Sequence, residues 1–145
     1  KFKQRLSKMS KDNGLLLDDY FVFHPQTSYQ NYLNLIHKAD IVLDSLDWSG
    51  LNTSLEAISL DKPIITFPSN FMRGRHTYGV LKILKVNELI CNSKKEYIDL
   101  AAKLSTDLIF CGDIIKKINT NKKLLFNNYK TIQFLENFFL SLDKN

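Results

Sequence analysis

From Ala39 to Pro68 the chain reads ADIVLDSLDWSGLNTSLEAISLDKPIITFP. This pattern is a buried strand, a loop of small polar residues, an amphipathic helix and a second buried strand, which together make one βαβ unit. Ile41-Val42-Leu43 and Ile64-Ile65-Thr66-Phe67 are continuous β-favouring runs, as expected of strands covered on both faces of a parallel sheet. Between them, Ser49-Gly50-Leu51-Asn52-Thr53 runs into a helix N-terminus, where unpaired N–H groups and the helix dipole favour an anion such as phosphate. Thr53-Ser54-Leu55-Glu56 matches a capping box, with the Thr53 hydroxyl on the amide three residues on and Glu56 reaching back. Leu55, Ile58 and Ser59 are expected on the inner face of this helix, which Asp61-Lys62-Pro63 ends.

Toward the N-terminus, Phe2, Leu6 and Met9 fall at i, i+4 and i+7, the spacing of an amphipathic helix ending near Asn13-Gly14. Tyr20-Phe21-Val22-Phe23 reads as a short strand after the acidic turn at Asp18-Asp19. His24-Pro25-Gln26-Thr27-Ser28 is a loop, because Pro25 disfavours helix before it and Ser28 caps the next helix. That helix, from Tyr29 to Lys38, has Tyr32, Leu33, Leu35 and Ile36 as apolar positions. Toward the C-terminus, a loop from Ser69 to His76 precedes a helix through Val80, Leu81, Ile83 and Leu84, and Val86 to Ile90 is a candidate edge strand. A second capping box, Ser93-Lys94-Lys95-Glu96, opens a helix that buries Tyr97, Leu100, Ala101 and Leu104. Helices near Ile114–Ile118 and from Tyr129 to Leu142 complete the pattern. The expectation is an α/β fold, a Rossmann-like parallel sheet with flanking helices, as a single domain over 1–145. Strands near Phe21, Val42 and Ile65 should lie parallel.

Composition narrows the function classes. At 145 residues, with 44% hydrophobic and 24% charged content, the chain suits one globular core rather than disorder. No apolar run reaches the roughly 18–20 residues of a membrane span, so no membrane partner is expected. Cys91 and Cys111 lack metal-ligand or redox spacing and read as reduced thiols in a cytoplasmic setting. The charge of +5 gathers at Lys1, Lys3, Arg5, Lys8 and Lys11 and at Lys116, Lys117, Lys122, Lys123 and Lys130. Without a nucleic-acid-binding signature beside it, this surplus reads as solvated helix faces, and no nucleic-acid partner is expected. Lys1-Phe2-Lys3 opens in mid-pattern without an initiator Met, which reads as part of a longer protein.

Four groups of residues carry candidate chemistry. Gly50, Asn52 and Thr53 lie beyond a strand's carboxyl end, where open α/β sheets bind ligands, yet a small polar cluster there is also an ordinary cap. No GxxxxGK[ST] or GxGxxG accompanies it. Glu56 suits a ribose hydroxyl or the capping box equally. The loop from His24 to Thr27 can read a base edge with its backbone, and Tyr32 can stack on that base or fill the core. Arg73, Arg75 and His76 form a compact cationic loop that suits phosphate, an acceptor or solvent. His24, His37 and His76 share no metal-ligand spacing, so no metal is expected. Asp40, Asp44 and Asp47 read as strand-end residues.

Taken in order from about Tyr20 to about Asp107, five segments resemble the C-terminal part of the O-linked N-acetylglucosamine transferase and SPINDLY family of GT-B glycosyltransferases. They are HPQTSYQNYLNLIHKADIVLD, SGLNTSLEAISLDKPIITFP, RGRHTYGVLKIL, NELI and SKKEYIDLAAKLSTD. The resemblance implies one portion of a protein with two Rossmann-like halves that moves a sugar, N-acetylglucosamine from UDP-GlcNAc, to protein Ser or Thr hydroxyls. It implies Gly50, Asn52 and Thr53 at the donor diphosphate, Glu56 at the ribose, and Thr27 and Tyr32 near the base. No cofactor is implied beyond the UDP-sugar as substrate. The implied partners are that donor, a protein acceptor, an upstream N-terminal catalytic half and helical repeats before it. The family's diphosphate-anchoring Lys, its candidate catalytic groups and the first strand and helix of this half precede the region covered, so no catalytic residue is expected within 1–145. Animal members carry His at the position of Leu51 and Asp at that of Glu56. A non-catalytic Rossmann-like binding or interaction module is the alternative.

Overall fold

The computed structural model describes residues 1–126 and 129–142. The chain divides into two compact units, Lys1–Tyr32 and Leu33–Asn145.

In the first unit, helix α1 (Phe2–Asp12) ends where the sequence predicts. The Asn13 side chain donates to Met9 O at 2.8 Å, and Gly14 takes the left-handed φ of +68° that turns the chain away. The expected strand at Tyr20–Phe23 does not form. Leu17–Tyr20 is instead a helical turn, α2, with Asp18 and Asp19 in its first turn, where carboxylates suit the helix dipole. Phe21 N closes that turn on Leu17 O at 2.9 Å, and Val22 is 78% exposed. β-favouring composition makes a strand only where a neighbour supplies a hydrogen-bond ladder, and none pairs with these residues among those described. Helix α3 (Tyr29–Lys38), which begins in the first unit and continues into the second, matches its expected bounds, with Ser28 Oγ accepting from Asn31 N at 3.4 Å.

The second unit holds the predicted βαβ. Strands β1 (Val42–Leu43) and β2 (Ile64–Ile65) are parallel, with Val42 opposite Ile64 and Leu43 opposite Ile65. Helix α4 (Asn52–Ser59) is the crossover between them. Thr66 pairs in parallel with Ile90, through Thr66 N to Leu89 O at 3.0 Å and Cys91 N to Thr66 O at 2.8 Å. The expected edge strand thus contracts to one bridge, because Asn87–Leu89 coils into a 3₁₀ turn. Leu43 is 54% exposed, so β1 is not covered on both faces.

Helices α5 (His76–Leu84), α6 (Lys94–Thr106) and α7 (Leu108–Asn121) supply the rest of the core. Ile58, Ile64, Ile65, Leu81, Leu84, Val86, Leu89, Leu104 and Ile118 are almost wholly buried. Each such side chain contributes about 1.5–3 kcal/mol on removal from water, which makes this cluster the main stabilising element. Helix α4 buries Ser54, Ala57 and Ile58 and packs the half-buried Leu55 against this cluster, as expected, whereas Ser59 is exposed. Helix α8 (Lys130–Leu142) has no buried residue among those described. No described helix is long and apolar enough to cross a membrane.

Candidate functional site: the loops beyond the parallel strands

β1 delivers its chain directly into Asp44, and the site is built from that residue. Asp44 is 6% exposed. Its Oδ1 accepts from Gly50 N at 2.9 Å, and its Oδ2 accepts from Ser49 Oγ at 2.7 Å and from Thr66 Oγ1, just beyond β2, at 2.8 Å. A buried carboxylate is tolerated only when donors satisfy it, and here three do. The Asp44 carbonyl accepts from Tyr97 Oη of α6 at 2.8 Å. Burial, then the charge of Asp44, then that of Cys91, pushes the Tyr97 phenol up to about 12, so it stays a donor.

The Ser49 peptide ties this loop to the one after β2. Ser49 N donates to Arg73 O at 2.8 Å, Ser49 Oγ accepts from Thr77 N at 2.9 Å, and Ser49 O lies 3.3 Å from His76 Nδ1. Gly50 O accepts from Ser54 Oγ at 2.8 Å and from Thr77 Oγ1 at 3.1 Å. The N-termini of α4 and α5 therefore meet around one buried cluster of hydroxyls.

This arrangement corrects the expected capping box. Helix α4 starts at Asn52, and Leu51 at its N-cap makes no side-chain cap bond. Thr53 sits inside the first turn, too far along to cap it. Glu56 is half-buried and does not reach back. Gly50 has a different part from that of an anion-binding amide, because its N–H and C=O are both used internally. A Cβ at Gly50 would run into the Thr53 hydroxyl, so glycine lets Thr53 lie over the loop. Asn52 and Thr53 are exposed at the start of α4.

The cationic residues are brought to the same edge. Arg75 Nη1 donates to Ser69 O at 3.0 Å, and its guanidinium lies 4.4 Å over the Tyr78 ring. Arg73 is exposed and lies 4.8 Å over the Phe71 ring. An open groove of about 440 Å³ beside them is lined by Leu51, Leu55, Arg75, His76, Ile83 and Phe126, among others. Thr27 is exposed and Tyr32 half-buried, both within the first unit. Sequence reasoning assigns no site role to Asp44, Thr66, Ser54 or Thr77. The one available signal is an acidic residue at a strand's carboxyl end, directly before a small polar loop.

A family model described as Glycosyl transferase family 41 matches residues 3–135. The chain is 28% identical over 103 residues to the UDP-N-acetylglucosamine–peptide N-acetylglucosaminyltransferase of Giardia intestinalis, covering 71% of this chain and 7% of that protein. To the protein of the same name from Caenorhabditis elegans it is 27% identical over 97 residues, 67% of this chain and 8% of the other. Among solved structures, a mutant of the Thermobaculum terrenum O-GlcNAc transferase superposes with a TM-score of 0.77 at 25% identity, over 94% of this chain and 26% of that one. The chain thus spans a small part of the length of the relatives it matches.

Proposed function

Because the chain belongs to glycosyl transferase family 41, we propose that it is the nucleotide-sugar-binding part of a longer enzyme that transfers N-acetylglucosamine from UDP-GlcNAc to protein Ser or Thr hydroxyls. One observation carries this reading. The N-terminus of α4 opens at the carboxyl edge of two parallel strands, beside the turn that holds Arg73, Arg75 and His76. That is where an open α/β sheet takes its ligand, and the exposed amides of a helix start and nearby cations suit a diphosphate.

In this reading Asn52 and Thr53 meet the diphosphate and Gly50 shapes the loop beneath them. Glu56 serves the ribose. Thr27 and Tyr32 serve the base, an assignment that rests on the family resemblance alone. The donor is a substrate, so no cofactor is part of the proposal, and an upstream half supplies the groups that act on the sugar. A cytoplasmic setting goes with it. The test is titration of UDP and of GDP into the chain extended upstream. Saturable binding with UDP preferred supports the reading, a GDP preference changes the donor, and no binding of either favours a non-catalytic module.

A further inference from the structure

The Ser49-Gly50 backbone is held from below, by a carboxylate, as well as by the helix after it. Asp44 turns both oxygens inward, and its three donors come from residues 49, 50 and 66. Ser49 then joins two loops. Its hydroxyl bonds Asp44 on one side and accepts from Thr77 N on the other, while its N–H reaches Arg73 O. Moving Asp44 therefore moves the start of α4 and the Arg73–His76 turn together.

We infer that Asp44 is a positioning residue: its carboxylate sets the Ser49-Gly50 backbone so that the α4 N-terminus and the Arg73–His76 turn meet an anionic donor as one preorganised unit. The functional consequence rests on the donor-binding reading above. Asp44 itself is buried beneath the loop and acts through Ser49 and Gly50. The gain is preorganisation, since a loop already fixed loses little freedom when it binds.

Asp44→Asn separates hydrogen bonding from charge. Its amide oxygen still accepts from Gly50 N, its NH₂ group donates to Ser49 Oγ and Thr66 Oγ1, and the Ser49 proton turns to Thr77 Oγ1, 2.9 Å away, while the Thr66 hydroxyl proton gives up its Asp44 acceptor. Asp44→Ala removes all three bonds, and Ser49→Ala removes the hydroxyl's bonds to Asp44 and Thr77 N while the Ser49 N–H stays on Arg73 O. In the full-length protein, D44A and S49A are each expected to weaken UDP or GDP binding by about tenfold or more, the weight of one or two charge-assisted bonds, while D44N stays within about threefold of wild type. Donor KM should rise more than kcat falls. Amide exchange at Gly50 should quicken in D44A and be restored in D44N. Should D44A fail to fold, S49A decides. Folded D44A and S49A with wild-type affinity, or D44N as weak as D44A, would overturn the inference. If the wild-type protein binds neither nucleotide, the donor reading fails separately, and Gly50 exchange still decides whether Asp44 positions the loop: unchanged exchange in D44A refutes it.

Discussion

A methyl group added to Gly50 would run into the Thr53 hydroxyl and approach Ser54 Oγ at 3.3 Å, although the Gly50 backbone lies outside the left-handed region. The strain in Gly50→Ala is therefore steric and removable. That substitution should destabilise the fold by about 1–3 kcal/mol, the usual range for an overpacked site, and Thr53→Ala in the same chain should recover most of the loss. Urea unfolding of the two single variants and the double variant measures this coupling, and strictly additive losses would place the strain elsewhere. Two other residues set an alkaline limit. Burial, then the charge of Glu96, raises the Cys91 thiol from its ordinary 9.0 to about 11. Tyr97 rises from 10.0 to about 12. Each group holds its proton more tightly folded than unfolded, so the stability it contributes is whole below its unfolded pKa and is lost as pH rises toward its folded one. The melting temperature should then fall between pH 9 and pH 12, the span of these four values. Cys91→Ser and Tyr97→Phe should each make that fall shallower, and unchanged slopes in both would remove these groups as its cause.

Helices α4 and α6 open on the same sequence pattern, a hydroxyl residue with Glu three places later, yet only one of them is capped by it. At α6, Ser93 has the extended backbone of an N-cap and its Oγ accepts from Glu96 N at 3.1 Å, while Glu96 Oε2 accepts from Asn92 N at 2.7 Å. At α4 the helix starts early, at Asn52, which puts Thr53 inside the first turn, and Ser54 turns back to Gly50 O. Ser93→Ala should accordingly cost about 1 kcal/mol, whereas Thr53→Val should cost less than about 0.5 kcal/mol and still weaken nucleotide binding in the extended protein. Equal stability losses in thermal denaturation would return Thr53 to the role of a cap. The contrast also shows where sequence reading stops. The βαβ unit, α3 and the α6 cap are legible because propensity, periodicity and capping act over a few neighbouring residues. Tyr20–Phe23 reads wrongly as a strand because pairing depends on a distant partner. The role of Asp44 is hidden because its donors are scattered from Ser49 to Thr66 and converge only in the folded chain.

For the molecule as a whole, the decisive quantity is how much of a catalytic site one sheet edge supplies. Sugar transfer needs an acceptor hydroxyl held in line with the anomeric carbon and charge stabilisation of the departing diphosphate. The second unit brings a helix N-terminus and a cationic turn together, which suits the second task. The Arg73–His76 turn, once given to the diphosphate, is not free to hold the acceptor as well, and the chain covers 26% of the length of the Thermobaculum terrenum O-GlcNAc transferase. We therefore expect residues 1–145 alone to bind UDP weakly and to transfer no sugar, and the chain extended upstream to bind tightly and transfer. The measurement is incubation of both proteins with labelled UDP- and GDP-sugars and a Ser/Thr-containing acceptor, with label on the acceptor as the readout. Turnover by residues 1–145 alone would show that this sheet edge carries the whole reaction, with no division of labour between two halves. An extended chain that folds, transfers nothing and binds no nucleotide would instead make the α4 loop a structural joint, its buried Asp44 cluster serving stability rather than a donor.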